Sequence, residues 1–366
     1  MRRTISISFL IMILTGMAKA QESPLVLSGK DRYKQASGRY GGNEGLCLFE
    51  DGTYLLYGYA TAVFGTYSFE KDYLLFTPDK TELFEVYATQ NKSIGTQAKV
   101  NYIGFEGNGK CFLQLDKGAV RQVFNDDANC FDAPFVATEK QSPATFVLSA
   151  ALSDHRPPVA ANVYAYENTG LYNDFIFLYH PPGRASMPFS AYLYQSAPGE
   201  ILIKLSNYGG DKGYRKQNAD EDEQKQWQEV LDVKEEYRVS ESAMENGILA
   251  NEHYNIFMPD LNTYNFDKAQ NLYTSKTAKD NEAYFQQNPY HDDRYLRRYV
   301  KLLPKTKSKD TTIKAGKDSK SIFFTLCEDD QSYRYEGLEE HTESATEMPL
   351  LVPVPPVPPV ETNDQR

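Results

Sequence analysis

The sequence predicts a mainly β protein. We expect an N-terminal antiparallel barrel or sandwich, then a second β-rich domain with two added helices, then a disordered C-terminal tail. Short apolar stretches separated by turn residues occupy 46–124, and the same pattern returns over 144–208. Helix-start signals appear only after these two regions. Many short strands at close spacing are typical of antiparallel barrels and sandwiches.

The first β region, predicted over 38–136, is defined by its hairpin turns. Asp51 and Gly52 separate two apolar stretches, and both residue types tolerate the positive φ that tight β-turns require. Two more hairpin turns are predicted at 70–72 and 116–118. The eight predicted strands are 46–50, 53–59, 66–69, 73–76, 83–87, 100–105, 111–115 and 120–124.

The residues FEDGTYLLYG and FGTYSFEKDYLLFTP, within 46–78, resemble small lipocalin-like β-barrel domains of secreted bacterial proteins. In those domains a Gly-Thr-Tyr or Asp-Gly-Thr-aromatic segment opens successive strands. The resemblance implies a barrel with room for an apolar ligand inside it. It implies no catalytic residue.

The second β-rich domain, predicted over 144–338, begins with five strands. Tight, polar or Pro-Gly connections separate them, and proline interrupts a strand because it fixes φ and removes a donor from the hydrogen-bond ladder. Arg156, Pro157 and Pro158 form a predicted boundary. The predicted strands are 145–150, 163–166, 175–179, 190–194 and 201–205, with one more at 321–327.

Two helices are predicted in this domain, at 219–238 and 289–303. Asn218 is the predicted N-cap of the first helix, and acidic residues in its first turn favour the positive end of the helix dipole. Asn288 and Pro289 open the second helix, and Pro304 ends it. Both helices are expected to pack against a sheet.

The two ends of the chain indicate export and a flexible terminus. Arg2 and Arg3 precede a short apolar stretch that ends in a small-x-small cleavage pattern, so 1–20 is a predicted signal peptide. No later stretch is long and apolar enough for a membrane-spanning helix. We therefore expect a periplasmic or extracellular protein. The proline-rich end, 339–366, is predicted to be disordered.

The charge and the motifs exclude several classes of function. The formal net charge of −11 repels phosphate backbones, so nucleic acid is not an expected partner. Residues 104–111 nearly match a phosphate-binding loop, but Cys111 replaces the required hydroxyl residue and a strand follows. Neither an H-E-x-x-H nor a G-x-S-x-G motif occurs. No metal, cofactor or catalytic residue is predicted.

An Asn-rich segment has part of a calcium-loop pattern. Asn125, Asp127 and Asn129 have the first spacings of an EF-hand loop. Cys130 and Val136 stand where that loop needs Gly and Glu, so an Asx-rich turn is predicted instead.

Four cysteines follow the predicted signal peptide, and export would place them where disulfides form. Four cysteines allow three connectivities. Because Cys111 and Cys130 flank one predicted hairpin, we predict that they pair, with buried free thiols as the alternative.

The aromatic residues carry the ligand-binding prediction, since the chain has 27 Tyr, 20 Phe and one Trp. Tyrosine suits both half-buried sheets and binding surfaces. Strand alternation places Tyr54 and Leu56 on one face and Leu55 and Tyr57 on the other. One face can fill the core, while a neighbour, ligand or partner covers the other. The predicted ligand-binding residues are Tyr54, Tyr57, Tyr59 and Tyr67.

A basic stretch from residue 294 to residue 320 is a second candidate site. Its predicted anion-binding residues are Arg294, Arg297, Arg298 and Lys301. A solvated surface that balances the acidic 219–238 helix is the alternative.

The first functional hypothesis is a non-enzymatic exported protein that binds a small ligand, a glycan or an envelope protein through tyrosine-rich β surfaces. The second is a secreted hydrolase whose carboxylates or histidines meet only in the folded chain. The third is a structural or assembly component of the cell envelope.

Overall fold

The computed structural model describes residues 23–59, 61–106, 110–151, 161–218, 220–280, 282–310, 320–327 and 333–336. The predicted signal peptide, the 156–158 boundary and the predicted disordered tail lie outside the described residues. The chain is mainly β, with 45% of its residues in strands, which confirms the predicted fold class.

The strands in chain order are β1 Ser23–Pro24, β2 Gly38–Gly41, β3 Gly45–Leu48, β4 Thr53–Gly58, β5 Thr61–Glu70, β6 Tyr73–Pro78, β7 Phe84–Thr89, β8 Ala98–Ile103, β9 Lys110–Leu115, β10 Arg121–Gln122, β11 Phe135–Glu139, β12 Thr145–Ala151, β13 Ala161–Glu167, β14 Asp174–Tyr179, β15 Phe189–Ala197, β16 Glu200–Leu205, β17 Tyr214–Arg215, β18 Ile248–Ala250, β19 Ile256–Phe257, β20 Tyr264–Asp267, β21 Leu272–Ser275, β22 Tyr295–Leu302, β23 Thr306–Asp310, β24 Phe324–Cys327 and β25 Tyr333–Glu336. The α-helices are α1 Arg32–Ala36, α2 Glu221–Glu245 and α3 Glu282–Gln287. Short 3₁₀ turns lie at Lys92–Ile94, Arg184–Ser186, Leu261–Thr263 and Pro289–His291.

Eight antiparallel strands form a nearly closed barrel, in the order β17-β16-β15-β6-β5-β4-β3-β2. Tyr40 and Lys216 bridge its two ends, and the amide of Gln217 donates to the carbonyl of Arg39 at 2.8 Å. The barrel interior is filled by its own side chains, as in other small barrels. Tyr54 and Phe76 meet edge to face at 5.0 Å, and Phe76 stacks on Phe189 at 4.5 Å.

The barrel draws its strands from two separate parts of the chain. Strands β2 to β6 come from 38–78, and β15 to β17 come from 189–215. The two parts meet where β15 pairs with β6, with Phe189 opposite Phe76. The two predicted domains, 38–136 and 144–338, therefore do not correspond to separate sheets.

Most of the intervening residues form a β-sandwich. One sheet has the order β11-β8-β14-β7-β22-β18-β19, and the other has the order β10-β9-β12-β13-β23. A single buried cluster takes aromatic side chains from both sheets, including Phe84, Phe135, Phe146, Phe175 and Phe177. Phenylalanines from the two facing sheets pack at aromatic distances, with Phe146 of β12 and Phe177 of β14 at 5.1 Å.

The prediction of a helix at 289–303 is wrong, because most of that segment is strand β22. The apolar spacing at 295–303 fits a helical period, but such short stretches do not distinguish helix from strand. In the fold, β22 pairs with β7, β18 and β21. The backbone hydrogen bonds to these neighbouring strands stabilise this segment as a strand rather than a helix. Only the 3₁₀ turn Pro289–His291 is helical there.

The helix predicted at 219–238 is confirmed as α2. Its N-cap is Asp220 rather than Asn218, and the Asp220 carboxylate accepts from the amide of Glu223 at 2.8 Å. None of the described helices is long and apolar enough to cross a membrane.

Helix α2 lies on the outer side of the barrel. The ring of Trp227 lies 5.5 Å from that of Phe49, and Tyr237 stacks on Phe64 at 4.1 Å. Leu55 is buried in the same cluster. The predicted alternation of strand β4 is therefore confirmed: one face fills the barrel, and the neighbour that covers the other is α2.

Charged pairs fix α2 at both ends of this contact. Arg39 of β2 binds the carboxylate of Glu223 through two nitrogens, at 2.9 and 2.5 Å. Lys234 donates to Asp51 at 2.6 Å, and its ammonium lies 4.1 Å from the centre of the Phe49 ring.

The predicted Cys111–Cys130 disulfide is wrong. Cys130 is bonded to Cys327, with a Cα–Cα distance of 5.8 Å, and Cys111 is a buried free thiol in the sandwich core. Spacing along the chain favoured the nearer cysteine, whereas Cys327 reaches Cys130 through the packing of strand β24. Cys47 is also free and buried, under α2.

The Asn-rich turn before Cys130 holds β24 in place. The side-chain amide of Asn125 exchanges two hydrogen bonds with the backbone of Thr325, at 2.9 and 3.3 Å. Asn129 does the same with Cys327, at 2.7 and 3.0 Å. These amides pair with the β24 backbone as a neighbouring strand would, which gives Asn125 and Asn129 of the calcium-loop pattern a structural role.

Peptide mapping under non-reducing conditions should recover one linked pair, Cys130 with Cys327. Cys47 and Cys111 should be alkylated only after unfolding, because both are buried. Replacing Cys130 and Cys327 together by Ser should lower the free energy of unfolding by about 2–4 kcal/mol, because the open chain gains conformational entropy. A peptide that links Cys111 to Cys130 would contradict the fold.

Trp227→Ala should lower the free energy of unfolding by about 2 kcal/mol, because it removes an aromatic contact between α2 and Phe49 of the barrel. Urea denaturation followed by circular dichroism measures the change. Val233→Ala is the matched control: Val233 is on α2 but 46% exposed, so its truncation should change stability by less than about 0.5 kcal/mol. Equal effects of the two substitutions would contradict the packing of α2.

Candidate ligand-binding cleft on the barrel

An open cleft of about 710 Å³ lies on the barrel beside strands β6, β15 and β16. The loop 206–213, which joins β16 to β17, forms one wall. The lining residues are Glu44, Tyr73, Ser190, Ala191, Tyr192, Lys204, Leu205, Ser206, Asn207, Tyr208, Gly209, Gly210, Asp211 and Tyr214.

Strand alternation supplies the floor of the cleft. On β15, Phe189, Ala191 and Leu193 belong to the barrel core, so Ser190 and Tyr192 face outward. Tyr192 lies opposite Tyr73 of β6 on one side and opposite Lys204 of β16 on the other. One row of outward side chains thus crosses three strands.

The loop 206–213 is held in a defined path. Its first amide, that of Ser206, donates to the carbonyl of Ser190 at 2.8 Å, and the Ser206 hydroxyl accepts from the Ser190 amide at 3.1 Å. Near its end, the Tyr194 hydroxyl donates to the carbonyl of Lys212. Gly213 has a φ of +67°, and a Cβ there would collide with the carbonyl of Ile203.

Tyrosine rings give the cleft its apolar surfaces. Tyr73 is 55% exposed, and its ring meets that of Tyr192 edge to face at 6.4 Å. The Tyr214 hydroxyl lies 3.4 Å from Oε1 of Glu44. Burial, together with the nearby Glu44 carboxylate, raises the pKa of Tyr214 to about 12, so the phenol stays protonated and acts as a donor near neutral pH.

Polar groups of several kinds stand among these rings. Glu44 and Asp211 offer carboxylates, and Lys204 offers an ammonium group. Oδ1 of Asn207 has no hydrogen-bond partner among the described residues. A few polar groups among aromatic surfaces are typical of a site that binds a ligand and fixes its orientation.

Two other surface clefts fit a ligand less well. A polar cleft of about 620 Å³ surrounds Arg294, but Asp292 and Glu282 already satisfy that guanidinium. An apolar groove of about 370 Å³ lies between the end of α2 and β18, with Met258 exposed at its edge. It has few groups that could orient a polar ligand.

The four tyrosines predicted to bind a ligand are not brought together. Tyr54 and Tyr67 are inside the barrel, with exposures of 0% and 4%. Tyr57 packs in the cluster beneath α2. Tyr59 is fully exposed in the turn after β4. The tyrosines that line the cleft are Tyr73, Tyr192, Tyr208 and Tyr214.

The sequence carries a signal for the cleft that the prediction of ligand-binding tyrosines missed. In both YLLFTP of β6 and FSAYLYQSA of β15, tyrosine alternates with residues that enter the core. The glycines of the segment SNYGGDKG indicate a loop with special backbone conformations. What the sequence did not indicate is that these two strands are neighbours.

The predicted anion-binding residues each have an internal partner. Arg294 is only 6% exposed and paired with Asp292 and Glu282. Lys301 is paired with Glu85. Arg297 and Arg298 each donate to a backbone carbonyl and, as strand neighbours, point to opposite faces.

The hydrolase hypothesis requires carboxylates or histidines that meet in the folded chain, and among the described histidines His180 lies beside a largely buried carboxylate. Nε2 of His180 lies 3.3 Å from Oε2 of Glu85, which also binds Lys301. Burial disfavours the charged carboxylate, but hydrogen bonds from His180 and Lys301 still hold the pKa of Glu85 below its usual value. Neither the barrel cleft nor the two clefts above contain a histidine. The described residues contain no group of three or more His, Cys, Asp or Glu that could hold a metal ion.

Comparisons with protein-family models, curated proteins and solved structures return no match for this chain. Function is therefore inferred from the geometry of the site.

Tyr54→Phe and Tyr67→Phe should differ in stability although both rings are inside the barrel. The Tyr67 hydroxyl donates to the carbonyl of Phe49 at 2.9 Å, so its removal should lower the free energy of unfolding by about 1 kcal/mol. The Tyr54 hydroxyl is buried with no partner among the described residues, so its removal should leave stability unchanged or higher. Urea denaturation of both variants is the measurement, and a larger loss for Tyr54→Phe would contradict this account.

Proposed function

We propose that this is an exported, non-enzymatic binding protein whose barrel cleft holds a neutral oligosaccharide. The observation that carries the proposal is the combination of tyrosine rings with carboxylate, amide, hydroxyl and ammonium groups in one open cleft. Export is supported by the signal-peptide pattern at 1–20 and by the Cys130–Cys327 disulfide.

The cleft matches the two kinds of surface that a sugar presents. The C–H faces of a sugar ring are apolar and can lie on an exposed aromatic ring such as that of Tyr73 or Tyr192. Sugar hydroxyls both donate and accept, so they can pair with the carboxylates of Glu44 and Asp211 and the ammonium of Lys204. Tyrosine loses little conformational entropy when it makes such contacts.

The charge of the cleft favours a neutral ligand over an acidic one. Two carboxylates, those of Glu44 and Asp211, face a single ammonium group from Lys204. The formal charge of the whole chain is −11. Both would repel an anionic glycan or a phosphorylated ligand.

The outer cleft is better supported as the binding site than the barrel interior. The lipocalin-like resemblance implies an apolar ligand inside the barrel. Tyr54, Phe76 and Phe189 occupy that space and pack on one another at 4.5 to 5.7 Å. A ligand there would have to displace a packed aromatic cluster, whereas the outer cleft is open.

Isothermal titration calorimetry with soluble cello-, malto-, xylo- and chito-oligosaccharides tests the proposal, with oligogalacturonate as the acidic comparison. At least one neutral series should bind. Tyr192→Ala should weaken that binding about tenfold or more, equivalent to about 1.4 kcal/mol, because it removes a stacking surface. Tyr59→Ala is the control, because Tyr59 is exposed and lies outside the cleft residues. If no neutral series binds, the proposal is wrong.

The same samples separate binding from hydrolysis. Glycosidases use two carboxylates, and Glu44 and Asp211 both line the cleft. Chromatography of the oligosaccharide after long incubation should show it unchanged. If products form, and form more slowly with Glu44→Gln or Asp211→Asn, the hydrolase hypothesis replaces the binding one.

A further inference from the structure

A second cleft, of about 430 Å³, lies on the same outer side of the barrel. It offers a partly exposed tyrosine ring, that of Tyr33, with two carboxylates and several hydroxyls, whereas the ring of Tyr67 lies in the barrel core. Its lining residues are Tyr33, Glu50, Asp51, Gly52, Thr66, Tyr67, Ser68, Leu75 and Thr77. The rings of Tyr33 and Tyr67 are 5.3 Å apart.

The two clefts meet on strand β6. Tyr73 lines the first cleft, and Leu75 and Thr77 line the second. Alternate residues of β6, Leu74 and Phe76, are buried in the core, so Tyr73, Leu75 and Thr77 all face outward. The outward face of one strand therefore joins the two clefts.

The register across the sheet brings the cleft linings into contact. Leu75 lies opposite Ser190 of β15, which lines the first cleft. On its other side it lies opposite Ser68 of β5, which lines the second. Leu75 itself is 38% exposed, so the surface between the clefts is accessible to solvent there.

We propose that the two clefts form one continuous track that binds an extended neutral glycan chain rather than a single sugar. This inference rests on the proposed function and specifies the class of its ligand. From Tyr73 to Thr77 the track runs about 13 Å along β6, and the clefts extend beyond both residues. A ligand that fills it is longer than a disaccharide.

The sheet geometry favours a glycan over an extended peptide in this track. Peptides that bind along a strand usually add to an unpaired sheet edge through backbone hydrogen bonds. Strand β6 is paired with β5 on one side and β15 on the other, so it has no such edge to offer. The track presents side-chain hydroxyls, carboxylates and aromatic rings, which are groups that contact sugars in binding sites.

The test is a chain-length series, from monosaccharide to hexasaccharide, of cello- and chito-oligosaccharides titrated against the purified protein. In the series that binds, the hexasaccharide should bind at least about tenfold more tightly than the disaccharide, because it occupies both clefts. Ser68→Arg places a long side chain in the second cleft. It should reduce the hexasaccharide affinity to that of the disaccharide and leave the disaccharide affinity unchanged.

Two controls separate failure of the track from failure of the proposed function. Ser308→Arg makes the same substitution at an exposed position of β23, in the sandwich, and should change no affinity. Tyr192→Ala should weaken binding of the short and the long ligand alike. Equal affinities for disaccharide and hexasaccharide, or full hexasaccharide affinity in Ser68→Arg, would overturn the track and leave a single-cleft binding protein. If neither series binds at any length, the track is overturned, and the wider oligosaccharide panel decides the proposed function.

Discussion

The antiparallel pairing of β6 with β15 is the contact on which the barrel and its cleft depend. It joins 73–76 to 189–192, and most of the chain between them folds into the sandwich. Without this pairing, β2 to β6 would form an open sheet whose inner aromatic face was exposed. Bringing such distant segments together carries an entropic cost, which the stacked Phe76 and Phe189 help to offset.

The same pairing makes the two outer sides of the barrel different. On β3 to β5 the outward residues are Cys47, Leu55 and Phe64, and α2 covers them. On β6 and β15 they are Tyr73, Leu75, Ser190 and Tyr192, and they line open clefts. Charge pairs such as Arg39 with Glu223 link the helix to the side of the barrel that it covers. The exposed side is then free to contact a ligand.

Residues near the C-terminal end of the described chain hold one end of the sandwich together. Ile322 and Phe323 enter the core between the sheets, and Asn125 and Asn129 hold the strand that follows. The Cys130–Cys327 bond lies next to these amide pairs. A buried carboxylate on another face of the sandwich, that of Asp174, accepts from Asn91 and Tyr254, and burial raises its pKa. Because these polar groups are satisfied within the protein, we assign them structural roles.

The sequence by itself determined the fold class, most strands, the hairpin at Asp51 and Gly52, and the existence of α2. These features depend on residue types a few positions apart: alternation sets the faces of a strand, glycine permits a turn, and acidic residues favour a helix start. Only the tertiary structure decided the partners of each strand, the disulfide of Cys130, the strand at β22 and the set of tyrosines that remain exposed. Each of these depends on contacts between distant segments, and local pattern does not specify which segment will be the neighbour.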